Sequence, residues 1–356
     1  MKITKIYEEA KKSCIICNSC RYCEGLCAVF PAMEKKREFS FNDLDYLANL
    51  CHQCSECYYD CQYAPPHEFN VSIPKQFAAL RQQSYEKYAF PSFLGWAFQR
   101  NAFLTSLVLV LCLFLGFWFA NSSTDSLEAN GNFFAIVSYE YMVSVFSIVS
   151  FLVVLALAGA VLKFSRSIGL SCFSLRVFLQ SVKDVLTLKY LGGHKNEGCT
   201  YPNEKRSLMR KVYHHCTAYG FALCFIATTL GAIYHHFLGI VAPYDITQLP
   251  KIFGVLGGIM LCIGTLGLFV LKLISDKNLV DKESVGMDYA FIFMLFLVSF
   301  TGFVLMFLKE SAYLAFVLWF HLSCVLAFFV MMPYSKFVHM FYRFIALLKY
   351  NTEEEN

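Results

Sequence analysis

Residues 17–27 read CNSCRYCEGLC and residues 51–61 read CHQCSECYYDC, two copies of one spacing, C-x2-C-x2-C-x3-C. Thiolates at every third residue wrap one iron–sulfur cube from a single tight loop, and the fourth, one turn further on, reaches a neighbouring cube. Two such runs predict two [4Fe-4S] clusters that share their runs crosswise. Cys17, Cys20 and Cys23 hold the first with Cys61, and Cys51, Cys54 and Cys57 hold the second with Cys27.

The match is strong in cysteines and loose in proline. The fourth cysteine of such a run is commonly followed by proline. Here Cys27 precedes Ala28-Val29-Phe30-Pro31 and Cys61 precedes Gln62-Tyr63-Ala64-Pro65-Pro66. Cys14 adds one more C-x2-C step and opens a shifted register as an alternative. Zinc is the rival occupant, but it takes four ligands and rarely uses two intact four-cysteine runs. Disulfides are disfavoured because no signal peptide is read ahead of the cysteines and the charge pattern places them in a reducing compartment.

Hydrophobic residues make up 57% of the 356 and charged residues only 16%, too apolar a balance for an ordinary soluble globule. The first hundred residues nevertheless hold twelve of thirty Lys and Arg, nine of sixteen cysteines and no long apolar run. A soluble unit at 1–95 therefore precedes a membrane unit at 100–340, with a cytoplasmic loop at 163–211 and a cytoplasmic tail at 341–356.

Six apolar stretches lie beyond residue 100, at 102–120, 134–162, 212–240, 252–274, 287–308 and 312–332, each near or above the roughly 20 residues that cross hydrocarbon as a helix. The segments between them alternate in basicity: 121–132 has no Lys or Arg, 163–211 has ten, and 237–250 again has none. Positive-inside reasoning puts both termini and the cysteine unit in the cytoplasm of a bacterial cell, beneath the inner membrane. The fold expected is all-α: an α-helical ferredoxin-like unit followed by a six-helix bundle. Asn42 is the expected cap of a short helix running to Leu50, 73–88 reads as another helix, and Tyr85, Tyr88, Phe90, Pro91, Phe93 and Trp96 read as an interfacial aromatic collar. Gly192-Gly193-His194 reads as a turn, and Gly254 and Gly258 as a small-residue helix contact. No phosphate loop or dinucleotide fingerprint occurs, so no flavin, nicotinamide or nucleic-acid site is expected.

Histidines supply the second signal. His214 and His215 fall at the inner end of the third apolar stretch, His235 and His236 near its outer end, His321 inside the sixth and His339 at its inner end. Imidazole in lipid is costly without a partner. The 18 residues from His321 to His339 are five full helical turns, so both are expected to project from one face at two depths. Matching depths then pair His214 or His215 with His339, and His235 or His236 with His321, as two bis-histidine haem b sites. The bland alternative is snorkelling interfacial histidine. His52 and His67 read as hydrogen-bonding or surface residues. Glu140 is a candidate proton relay to quinone, with an outer-interface position as the simpler reading.

CNSCRYCEGLCAVFPAM at 17–33, YLANLCHQCSECYYDCQYAPPHEFNVSIP at 46–74, and the strings HHCTAYGFALCF, YHHFLGIVAPYD and PYSKFVHMFYR resemble the tricarballylate-utilization protein B family, also called citrate-utilization protein B, over nearly the whole chain. The resemblance implies a membrane protein that reoxidises the flavin of a partner dehydrogenase of the tricarballylate-utilization protein A type and delivers electrons to quinone. It also implies two [4Fe-4S] clusters on the eight cysteines, and haem on candidates His214 or His215, His235, His321 and His339. The chain is then an electron-transfer subunit, with substrate chemistry carried out elsewhere. Two rivals are a membrane-bound iron–sulfur redox sensor, which has little use for matched histidines in lipid, and a transporter, which the scarcity of intramembrane charge and of paired broken helices disfavours. Lys75, Arg81 and Lys87 are a candidate basic docking face for the donor.

Overall fold

The computed structural model describes residues 2–121, 131–193 and 197–355; residues 122–130 of the first connecting segment, and His194 of the expected glycine turn, lie outside them. Among the described residues the chain is helical throughout, apart from turns and one isolated bridge between Cys199 and Ser207.

The amino-terminal unit comprises α1 (Lys2–Cys20), α2 (Val29–Glu34), α3 (Phe41–Leu50), α4 (Glu56–Tyr59), α5 (Ile73–Tyr88) and α6 (Ser92–Arg100). Ser40, not Asn42, caps α3: its hydroxyl accepts from the Asp43 amide at 3.2 Å while the Asp43 carboxylate accepts from the Ser40 amide at 3.1 Å. A serine followed three residues later by an acid satisfies two orphan donors reciprocally, which a lone asparagine does not. Asn42 accepts from the Lys87 ammonium instead. α5 covers the expected 73–88, with Pro74 in its first turn, where no amide is needed. Its Phe77 and Leu80 are fully buried beside Leu44, Leu47 and Leu50.

The aromatic collar divides. Phe90, Phe93 and Trp96 are exposed, but Tyr85 and Tyr88 are buried. The reason is Asp45, a fully buried carboxylate that accepts from Tyr7 at 2.6 Å, Tyr88 at 2.7 Å and Lys87 at 2.8 Å. A buried acid needs such partners, and they draw Tyr88 inward.

Six helices are long and apolar enough to cross a membrane: α7 (Ala102–Asn121), α9 (Tyr139–Ser167), α11 (Met209–Leu238), α12 (Leu249–Leu273), α13 (Val285–Leu308) and α14 (Leu314–Met331). Between α7 and α9 lies the short α8 (Phe133–Ile136), followed by an extended Val137, so the second crossing starts five residues later than the hydropathy reading. Glu140 falls in the first turn of α9 and is exposed, the end where a helix dipole welcomes an acid. α14 is the central helix, with Leu318, Leu322, Cys324, Ala327 and Phe328 buried, and it packs on α7, α13 and α9. α11 packs on α12 along a seam of small residues in which Gly220 abuts Gly257 and Thr217 abuts Gly264. Gly257 and Gly264 make that seam, whereas Gly258 faces Phe303 of α13 and Gly254 touches only the Ala227 methyl at ordinary distance.

The loop between α9 and α11 contains an amphipathic helix, α10 (Leu175–Leu186), and the tail is α15 (His339–Glu355). The expected tail is not a free end. α15 packs on α10 and α3, Lys35 pairs with Glu354 at 2.6 Å, and Tyr46 donates to Glu353 at 3.3 Å.

Candidate iron–sulfur and histidine sites

The two cysteine runs fold differently: Cys17 and Cys20 lie in the last turn of α1 with Cys23 and Cys27 in the turns beyond it, whereas Cys51 and Cys54 lie in the loop after α3 and Cys57 in α4. In each, the residue immediately after the second cysteine takes a left-handed backbone, Arg21 at φ 56° and Ser55 at φ 72°, and Gln53 does so as well at φ 55°. Such conformations cost non-glycine residues about 1 kcal/mol or more and concentrate at functional sites. They curl the chain so that successive thiols face inward.

Two adjoining cavities result. One, of about 290 Å³, is lined by Cys17, Cys20, Cys23 and Cys61. The other is tight and lined by Cys27, Cys51, Cys54 and Cys57, and Cys57 borders both. The thiols sense each other in the same sets. Burial first, then Cys23, Cys61 and Cys20, pushes Cys17 up to about 12. Burial, then Cys61 and Cys20, does the same for Cys23. Burial and then Cys54 and Cys51 raise Cys27, and burial with Cys54, Cys51 and Cys27 raises Cys57. Four crowded thiols cannot all ionise without a cation among them, and coordination by a metal deprotonates a thiol outright.

The backbone already favours the thiolate form. Amides of Val29 and Phe30, at the start of α2, point at Cys27; Glu56 serves Cys54, Tyr63 and Ala64 serve Cys61, and the Gln53 amide donates to the Cys51 sulfur at 3.3 Å. Amide donors to sulfur are the means by which proteins tune iron–sulfur centres. The donor set therefore fits two cubes in the crossed arrangement. Among the described residues, no three His, Cys, Asp or Glu side chains close in as a cage for a single metal ion. Cys14 is buried in the core of the α1 face and lines neither cavity.

The membrane unit reaches over the second thiol set. Thr200 donates to the Cys54 carbonyl at 3.3 Å, Arg206 pairs with Glu56 at 3.4 Å, and the Cys51 carbonyl accepts from Arg81 and from Arg343, each at 3.0 Å. Arg210, at the start of α11, donates to the Gln53 carbonyl. Neither Arg206, Arg210 nor Arg343 stands out as part of the site by its place in the sequence. The i, i+4 spacing of His339 and Arg343 was the available signal, had α15 been known to begin at His339.

Of the histidine pairings expected from depth, the structure brings one together. The rings of His214 and His339 stand 6.1 Å apart between centroids, at 72°. The His339 Nδ1 faces the Lys336 carbonyl, which can only accept, so that nitrogen is the protonated one and Nε2 is left for a ligand. The His214 Nδ1 is buried without a partner. Each imidazole thus keeps a ring nitrogen with no protein partner, and His214 and His339 are the residues that would hold a haem here, which would supply a one-electron carrier. His215 is occupied otherwise, donating to the Leu186 carbonyl at 3.2 Å.

His235 and His321 do not meet. His235 stacks on Tyr139 at 3.6 Å and 19°, while His321 donates from Nδ1 to Thr301 at 2.9 Å. His235 lies three residues from the end of α11 and His321 seven from the start of α14, about 5 Å against about 10 Å of depth, and those two helices do not pack closely on each other. His321 and His339 are also not on one helix. Pro333 cannot continue α14, which ends at Met331, and Ser335 caps a new turn that leads into α15. His52 is half-buried and takes the bland role expected of it, its Nδ1 on the Leu50 carbonyl at 3.0 Å; desolvation first and then Arg343 hold it well below the ordinary imidazole range. His67 accepts from the Phe69 amide.

A family profile described as the citrate utilization protein B Fer4-like domain matches residues 10–87, and one described as citrate utilization protein B matches residues 98–356. The chain is 39% identical over 355 residues to a protein of Escherichia coli named citrate utilization protein B, covering 99% of this chain and 94% of that relative. No solved structure matches the chain. A Fer4-like domain carrying these eight cysteines marks the amino-terminal unit as an iron–sulfur module, and six long apolar helices mark the remainder as a multi-pass membrane unit. The chain belongs to the citrate utilization protein B family.

Proposed function

We propose that this protein carries electrons from a reduced flavoprotein dehydrogenase of the tricarballylate-utilization protein A type, acting on a citrate-like tricarboxylate, to quinone in the bacterial inner membrane. The observation that carries this reading is the closeness of the second thiol set to the His214–His339 pair, which Arg343 bridges from α15 by its bond to the Cys51 carbonyl four residues beyond His339. Two [4Fe-4S] clusters and haem b bound at these places supply one-electron steps that link two-electron flavin chemistry to two-electron quinone reduction. Cys17, Cys20, Cys23 and Cys61 hold the outer centre, where Cys20 is half-buried and Tyr22 exposed on the face left for a donor. Cys51, Cys54, Cys57 and Cys27 hold the inner one against α11 and α15. Phe30 and Ile73 give both cavities an apolar wall. Ten basic residues in 163–211 support a cytoplasmic position for the iron–sulfur unit.

The test is anaerobic purification followed by iron and acid-labile sulfide analysis, a dithionite-reduced minus oxidised spectrum, and quinone reduction by the flavoprotein donor. Cluster iron, a b-type haem band and donor-dependent quinol formation are the expected results. Zinc without iron or sulfide would overturn the reading. Clusters without haem or quinone activity would favour the redox sensor.

A further inference from the structure

Three guanidinium groups converge on the loop that carries the second thiol set. Arg81 donates to the carbonyls of Ala48 and Cys51 and to the Gln53 side chain, Arg343 donates to the Cys51 carbonyl, and Arg210 donates to the Gln53 carbonyl. Among the described residues no carboxylate forms an ion pair with any of the three. A concentration of unpaired positive charge in a partly buried place is costly unless an anion answers it. A cube ligated by four thiolates is such an anion, and it gains one more negative charge on reduction. Among the described residues none of the side chains lining the first thiol cavity is cationic, and Arg21 turns back onto the Asn18 carbonyl.

Arg343 differs from its companions in facing two ways. It follows His339 by four residues on α15, so one turn, about 6 Å of rise, separates the imidazole aimed at His214 from the guanidinium on the Cys51 carbonyl. Its Nε is sealed from solvent and has no partner. Its charge bears on His52, His214 and His339 alike.

We propose that Arg343 is the positioning residue that makes the Cys51, Cys54, Cys57 and Cys27 centre the electron exit of the wire. Its cation stabilises the reduced form of that centre, raises its potential above that of the Cys17, Cys20, Cys23 and Cys61 centre, and ties it through one helical turn to the membrane histidine pair. Arg210 reinforces the effect from α11. The inference rests on the proposed function, in which clusters occupy the thiol sets, and it adds which of the two hands electrons to the membrane.

The experiment is an electron paramagnetic resonance-monitored redox titration of the purified, cluster-loaded full chain, comparing the parent with Arg343→Gln, Arg343→Lys and Arg210→Gln. The second-centre signal is identified as the one missing from Cys54→Ser. In the parent the second centre should titrate at the higher potential. Arg343→Gln should move it to a lower potential and leave the first centre in place, Arg343→Lys should restore most of the parent value, and Arg210→Gln should move it the same way by less. An unchanged second-centre potential in Arg343→Gln, an equal shift of both centres, or a shift confined to the haem overturns the proposal. If Arg343→Gln fails to assemble, an unchanged second-centre potential in Arg210→Gln overturns it. Protein lacking iron and sulfide would fail the underlying reading instead.

Discussion

His214 of α11 and His339 of α15 face each other across 6.1 Å between ring centroids, although 125 residues and four crossings separate them in the chain. The pair forms because α15 starts at His339 instead of continuing α14. Replacing either residue with Ala should remove the b-type haem absorbance, while His321→Ala, whose imidazole is held by Thr301, should keep it. A pyridine haemochrome assay on the three purified variants checks this. Full haem in both His214→Ala and His339→Ala would leave only the snorkelling reading for these residues.

Cys20→Ser and Cys54→Ser touch different cavities. Each should lose one cluster's worth of iron and sulfide and one of two paramagnetic signals, Cys20→Ser that of the outer centre and Cys54→Ser that of the inner. Chemical analysis per chain with low-temperature resonance spectra reads the result. Two intact signals in both variants would refute the ligand assignment.

A Cβ at Gly257 would lie 2.8 Å from both the Cys224 amide nitrogen and the Gly220 carbonyl oxygen, backbone atoms that cannot rotate away. Gly257→Leu must therefore force α11 off α12 and should cost about 1–3 kcal/mol by overpacking. Because α11 carries His214, haem retention should fall with it. Thermal unfolding in detergent, followed together with haem absorbance, measures both. The same change at Gly254, which meets only a methyl at 3.6 Å, should cost less.

Asp288, buried in the first turn of α13, is bracketed by the ammonium groups of Lys272 and Lys336. Removing the acid leaves two cations in a poorly solvated place. Asp288→Ala should destabilise the bundle by about 3–5 kcal/mol, the cost of breaking a buried pair. Lys272→Met in the same background should recover part of that loss, since it removes one of the stranded charges. Unfolding midpoints of the single and double variants decide; equal midpoints for the parent and Asp288→Ala would show that the triad is solvated.

The cysteine sets and six spans were legible because each rests on a local rule, ligand spacing in one case and about 20 apolar residues in the other. Spacing also indicated the crossed sharing; the structure itself shows Cys27 beside Cys51, Cys54 and Cys57, and Cys61 beside Cys17, Cys20 and Cys23, with Cys57 bordering both cavities. What the sequence hid was tertiary. The apolar stretch ends at residue 332, and His339 reads as its inner end only where the helix is carried on through 333–338, whereas Pro333 breaks the helix and re-aims the imidazole. Tyr88 read as an interfacial ring because its demand for Asp45 lies 43 residues away. His235 matched His321 only on an average depth, and the Tyr139 ring that holds it comes from α9. The arginines around Cys51 come from α5, α11 and α15, three places no linear pattern joins.

α15 has one more consequence. The rod that begins with His339 is bolted along its length to the soluble head and its flanking loop: Arg343 on Cys51, Lys349 on Ile168, Asn351 on Ser181 and Glu353 on Tyr46. A swinging carrier, which visits its donor and acceptor in turn, needs a slack tether that this strut denies. Under the proposed function, delivery across the head–bundle boundary is a fixed-span hop, whose rate should not respond to solvent viscosity.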